Sequence, residues 1–144
     1  MNKKSPTPRR LARRLALQAI YQWQLTAMSA CDIEAQFISW ESLENVDVPY
    51  FLELLRDIPK QADSLDDHMK PLLDRPITDL NPVELAVLRI GIYELAYRPD
   101  IPYRVVIDEA LRLAKTFGTV EGFRYVNAIL DKVAKKMRTI ETKK

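Results

Sequence analysis

Four arginines and a tyrosine near the start of the chain have the chemistry of a nucleic-acid site. Arg9, Arg10, Arg13 and Arg14 precede Tyr21 in a stretch with helical periodicity. At about 100° per residue, these side chains fall within about 140° of one another and opposite an apolar face. Guanidinium groups bind phosphate bidentately, and a tyrosine ring can stack on an unpaired base. The pattern predicts a phosphate-binding helix face.

A solvated polar face is the alternative interpretation of such a charge cluster. However, four cations near a helix N-terminus oppose the helix dipole and repel one another, so stability alone would place acids there. Single-stranded RNA is favoured over duplex DNA, because no helix-turn-helix pattern is evident and a tyrosine lies inside the basic stripe.

Other charged and aromatic positions are weaker candidates. Arg89 lies on a nearly all-apolar helix, where it needs either an internal carboxylate or a ligand phosphate. Glu121, near a helix start, is an acid that the helix dipole favours. Tyr125 is either a core edge or a stacking ring.

Paired acids and the lone histidine could suggest catalysis, but their context indicates solvent-exposed surface. Asp66–Asp67 and Asp108–Glu109 have no metal ligands beside them, and His68 lies within the charged stretch DDHMK. We expect all of them on solvated helix faces.

The inventory of reactive residues excludes several classes of protein. One Cys, one His and three Gly leave no disulfide framework, no usual zinc site and no glycine-rich phosphate or dinucleotide loop. No apolar run approaches the ~18 residues of a membrane span, and the basic N-terminus lacks the pattern of a signal peptide. We therefore expect a soluble cytoplasmic protein with no cofactor and no metal of these kinds.

The charge of the chain is segregated along its 144 residues. The formal net charge is only +2, but residues 1–14 carry +6, residues 132–144 carry +5 and the remainder carries −9. Basic clusters of this kind attract polyanions.

The elements that must position these residues are helices. Few glycines, no alternating apolar and polar runs and many i, i+3, i+4 apolar spacings predict an all-α fold. The first helix begins near Thr7–Pro8, and a buried central one begins at the Asn81–Pro82 cap. A second helix is expected to bury Ile33, Phe37 and Trp40, and Pro59 predicts a kink or two abutting helices.

Several segments, in order along nearly the whole chain, resemble the NusB family of bacterial transcription antitermination factors. They are RRLARRLALQAIYQWQL at 9–25, NPVELAVLRI at 81–90, YEL at 93–95, DIPYRVVIDEA at 100–110, AKTFG at 114–118 and YVNAILDK at 125–132. The resemblance implies about seven helices in two packed bundles. It implies no catalysis.

The resemblance also implies partners. NusB proteins bind single-stranded boxA RNA of nascent ribosomal leader transcripts as a heterodimer with NusE, a small-subunit ribosomal protein. That complex joins RNA polymerase and other Nus factors and suppresses termination. The implied organisation is a basic tail (1–8), one domain (9–138) of two bundles (9–76 and 77–138), and a second basic tail (139–144).

Carried over by position, the resemblance assigns site residues. The set implied to lie at the RNA is Arg9, Arg10, Arg13, Arg14, Tyr21, Arg89, Glu121 and Tyr125. Glu84 falls on the side of the central helix implied to face NusE. Arg14 stands where the family often has Glu, which should strengthen non-specific RNA binding. Gly122 and Phe123 stand where polar residues are commoner.

Two other functions remain compatible with the sequence. One is a non-catalytic homologue of the NusB-like domain that is fused to ribosomal RNA methyltransferases. The other is a helical module that binds only proteins and whose basic ends only aid solubility.

Overall fold

The computed structural model describes residues 6–40 and 42–143, and these residues form helices and turns without a β-strand. Two short 3-10 helices, Lys70–Leu72 and Ile77–Asp79, precede the central helix. The α-helices are α1 (Pro8–Leu25), α2 (Ala30–Trp40), α3 (Val48–Lys60), α4 (Ala62–Met69), α5 (Pro82–Tyr97), α6 (Tyr103–Phe117), α7 (Val120–Met137) and α8 (Thr139–Thr142). The prediction of an all-α fold is confirmed.

Local capping chemistry sets where the two helices of the site begin. At α1, the Thr7 hydroxyl accepts a hydrogen bond from the Arg10 amide at 3.2 Å, and a proline occupies the first turn. At α5, the Asn81 side chain accepts from the Val83 amide at 2.8 Å, again with a proline in the first turn. Both starts agree with the sequence prediction.

Helix α5 is the centre of the molecule. Every residue from 86 to 95 is buried, because α5 packs against α1, α6 and α7 together. Helices α1–α4 pack mainly around the α1–α3 contact, and α5–α7 pack on one another. One continuous apolar core runs through both groups. The contact of α1 with α5 and α6 places the basic helix beside the second group.

Two features differ from the sequence expectation, and Pro59 has one of its two predicted effects. Trp40, the last residue of α2, is 73% exposed instead of buried. Residues 139–142 form the short helix α8 where a tail was predicted. Pro59 lies in the last turn of α3, which ends one residue later, so α3 and α4 abut as separate helices. Residues 1–5 of the predicted N-terminal tail lie outside the described part of the chain.

Candidate nucleic-acid interface

Arg9 and Arg10 lie at the start of α1 and are partly exposed. The Arg9 guanidinium lies 4.3 Å from the centroid of the Tyr50 ring and 3.7 Å from an Asp47 oxygen. Arg10 Nε donates to both carboxylate oxygens of Glu109 on α6, at 2.9 and 3.2 Å. Among the described residues, no acceptor takes a hydrogen bond from the Arg10 terminal nitrogens, which are therefore available to an anion.

The prediction that Arg13 lies on the exposed face is wrong. Its side chain is 5% exposed, and its Nε donates to Glu94 of α5 at 2.9 Å, with Glu109 3.6 Å away. The position borders the apolar sector of α1, and α5 and α6 cover that border. A buried cation needs a buried anion, and Glu94 supplies it. Arg13 thus holds α1 against α5 and α6 through its ion pairs.

The carboxylate that binds Arg13 belongs to a buried polar cluster. Tyr50 of α3 donates its hydroxyl hydrogen to Glu94 in a short hydrogen bond. Burial raises the pKa of the Glu94 carboxyl, while the charge of Arg13 and the Tyr50 hydrogen bond offset part of that rise. Burial and the neighbouring Glu94 also raise the pKa of Tyr50, so its hydroxyl stays protonated. The cluster ties α1, α3, α5 and α6 together below the exposed arginines.

Arg14 lies in a cleft between α1 and α6. Arg112 and Lys115 of α6 line the same cleft, whose volume is about 330 Å³. Glu109 lies beside them and is 7% exposed. Sequence reasoning missed Arg112 and Lys115. Both fall outside the apolar stripe of α6, but that pattern alone does not show that α6 lies beside α1.

Tyr21 is the exposed aromatic ring of α1, as predicted, at 38% exposure. It lines an apolar pocket of about 460 Å³ with side chains from α1, α2, α5 and α6, among them Leu17, Phe37, Val83 and Phe117. The pocket offers aromatic and aliphatic surface of the kind on which an unpaired base can stack.

For Arg89, the structure selects the internal carboxylate. Arg89 donates to both oxygens of Asp66 on α4, at 2.8 and 3.0 Å, and to the Gln24 side chain at 3.0 Å. The guanidinium carbon of Arg89 also lies 5.6 Å from the centroid of the Trp23 ring. Every guanidinium nitrogen of Arg89 therefore has a partner within the chain. This side chain joins α1, α4 and α5, and it does not reach the cleft.

Glu84, Glu121 and Tyr125 lie together where α5 and α7 begin. Partial burial raises the pKa of the Glu84 carboxyl; Arg75 opposes the rise and the carboxylate of Glu121 adds to it. The Tyr125 hydroxyl donates to Asp74 at 3.1 Å. Helices α5 and α7 approach closely at Gly122, where a Cβ would lie 2.5 Å from a Glu84 oxygen and would require the flexible Glu84 side chain to move.

The paired acids and the histidine that were expected on solvated faces divide into two groups. His68, Asp67 and Asp108 are exposed, as predicted. The expectation is wrong for Asp66 and Glu109, which are buried because they neutralise the buried arginines of α1 and α5. Among the described residues, no group of His, Cys, Asp and Glu could hold a metal ion, and no helix is long and apolar enough to cross a membrane.

Comparison with known proteins gives the same family on sequence and on structure. The NusB family model matches residues 10–135. The transcription antitermination protein NusB of Idiomarina loihiensis is 53% identical over 92% of this chain and 96% of its own length, and that of Shewanella amazonensis is 51% identical over 89% and 96%. A solved structure of T. maritima NusB superposes with a TM-score of 0.77 at 32% identity, covering 92% of this chain and 94% of that one. The chain belongs to the NusB family.

Proposed function

We propose that this chain is a transcription antitermination factor that binds boxA of nascent ribosomal leader RNA together with NusE. The observation that carries the proposal is the exposed basic face of α1. Arg9, Arg10 and Arg14 lie there with Tyr21 two to three turns further along, so phosphate-binding groups precede a stacking ring on one surface. The similarity to transcription antitermination proteins NusB supports the same function.

The role of the residues divides by their exposure. Arg9, Arg10 and Arg14 bind backbone phosphates, and Tyr21 contacts a base. Arg13 and Arg89 act through their buried ion pairs, by holding α1 against α5. Glu121 and Tyr125 extend the RNA surface, and Glu84 contributes to the surface for NusE. None of these steps is catalytic: the chain acts as an adaptor between RNA, NusE and, through other Nus factors, RNA polymerase.

A mixing experiment tests the proposal. The dissociation constant is measured for a boxA RNA and for a scrambled RNA of equal length, at one salt concentration, with and without NusE. Because the pair is proposed to recognise sequence, NusE should tighten binding to boxA more than binding to the scrambled RNA. Equal tightening on both RNAs would mean that the pair adds only charge. If the chain binds neither RNA, alone or with NusE, a module that binds only proteins is favoured.

A further inference from the structure

Helix α6 runs beside α1 in the same direction and forms the second wall of a groove. At one end, Glu109 of α6 contacts Arg10 of α1. At the other end, Phe117 of α6 shares a pocket with Tyr21 of α1. From Arg10 to Tyr21 the groove follows about 16 Å of helix, at about 1.5 Å per residue. Any strand that passes along the basic face of α1 therefore meets α6.

The basic end of this groove carries an excess of positive charge. Of the described residues, five cationic side chains and one acid line the cleft; the cations are Arg10, Arg13, Arg14, Arg112 and Lys115, and the acid is Glu109. Arg13 is neutralised below the surface by Glu94. The other four remain around the opening, from both helices.

The acids nearby do not satisfy these cations. Glu109 is shared among three arginines, at 2.9 Å from Arg10, 3.6 Å from Arg13 and 3.9 Å from Arg112. Arg112 also contacts Asp108 at 3.2 Å, but both side chains are more than half exposed, so that pair is weak. Within the described residues, Arg14 and Lys115 form no ion pair. Like charges held this close repel one another, and a bound anion would relieve the repulsion.

We infer that the cleft between α1 and α6 binds a phosphodiester group of the RNA, with Arg112 and Lys115 of α6 as contacts additional to those of α1. The inference rests on the proposed function and assigns α6 to the RNA surface. Arg14 and Arg112 approach the phosphate from opposite walls, and Glu109 at the base holds the Arg10 guanidinium toward the opening. From this cleft the strand continues along the groove toward the pocket at Tyr21.

A charge-matched pair of variants tests the assignment. Arg112→Ala with Lys115→Ala removes two cations from the cleft, and Lys132→Ala with Lys136→Ala removes two exposed cations of α7 outside it. The affinity for boxA RNA is measured against salt concentration for both variants. Each phosphate contact of a single strand contributes about 0.7 to the slope of log affinity against log salt. The cleft variant should lower that slope by about 0.7, the contribution of one phosphate, and the α7 variant should leave it unchanged.

The same titration separates failure of this inference from failure of the proposed function. Circular dichroism and the melting temperature first establish that both variants are folded as the wild type is. If a variant of Arg9, Arg10 and Arg14 loses slope while the cleft variant matches the α7 variant, the α6 assignment is wrong and the α1 site stands. If the wild-type chain binds RNA without salt dependence, the proposed function fails as well. The inference would also be overturned if the cleft variant bound RNA as the wild type does but bound an acidic protein more weakly.

Discussion

At the scale of single residues, the arginines of this chain divide by the acid that each one meets. Arg13 and Arg89 are buried and bound to Glu94 and Asp66, so their charge is already neutralised. Arg9, Arg10 and Arg14 keep part of the guanidinium in solvent. Only the second group can exchange water for phosphate at little cost, because a buried pair would first have to be broken.

The buried pair of α1 gives a prediction on stability. Arg13→Ala should lower the free energy of unfolding by about 3–5 kcal/mol, because it leaves the carboxylate of Glu94 buried without its cation. Urea unfolding followed by circular dichroism measures the change. Arg14→Ala, one position along and partly exposed, is the matched control and should change stability by no more than about 0.5 kcal/mol. Equal stability of the two variants would show that Arg13 is not a buried anchor.

Sequence reasoning recovered the exposed arginines and missed the buried partners for one physical reason. Helical periodicity assigns a face to each residue of α1, but it does not say which helix covers the border of that face. Arg13 lies on the border, and its burial depends on α5 and α6, which are about 80 to 100 residues away in sequence. Asp66 and Glu109 look like solvated acids until those arginines are placed beside them.

At the scale of helices, local signals predicted the elements well and their environment less well. The Thr7 and Asn81 caps and the uniformly apolar α5 were readable because capping and burial depend on neighbours in sequence. The position of Trp40 was not, because whether the end of α2 is covered depends on tertiary packing. The cationic wall of α6 was missed for the same reason, since it matters only when α6 lies beside α1.

Close packing of α5 on α7 gives a prediction at this scale. A Cβ at Gly91 would lie 2.9 and 3.0 Å from the two methyl carbons of Leu130, which is fully buried. Overpacking costs about 1–3 kcal/mol, and the higher helix propensity of alanine returns about 1 kcal/mol. Gly91→Ala should therefore lower the free energy of unfolding.

A double-mutant cycle provides the control for this prediction. Leu130→Ala opens the space that the new methyl group needs, so the two changes together should cost less than the sum of the single changes. Thermal or urea unfolding of the four proteins measures the coupling. A Gly91→Ala variant more stable than wild type would show that the two helices do not approach this closely.

At the scale of the whole molecule, the net charge of +2 conceals two basic ends with different structural roles. The N-terminal cluster forms the exposed face of α1 and meets further cations of α6 in the cleft. In the C-terminal cluster, Arg138 is buried and donates to the backbone carbonyls of Glu94, Leu95, Arg98 and Ile101, at the end of α5 and the turn after it. Lys132 and Lys136 remain exposed on α7. The basic face of α1 leads to the apolar pocket at Tyr21 and Phe117.

We propose that this exposed face of α1 binds RNA through phosphate contacts. The most direct measurement is the salt dependence of boxA RNA affinity for the wild type, for Arg9→Ala with Arg10→Ala and Arg14→Ala, and for a control that replaces Lys132, Lys136 and Lys143 by Ala. At about 0.7 per lost contact, the α1 variant should lower the slope by about 2, while its helicity and the slope of the control stay at the wild-type values. An α1 variant that binds boxA RNA with the wild-type affinity and slope would show that this face does not bind RNA through its arginines.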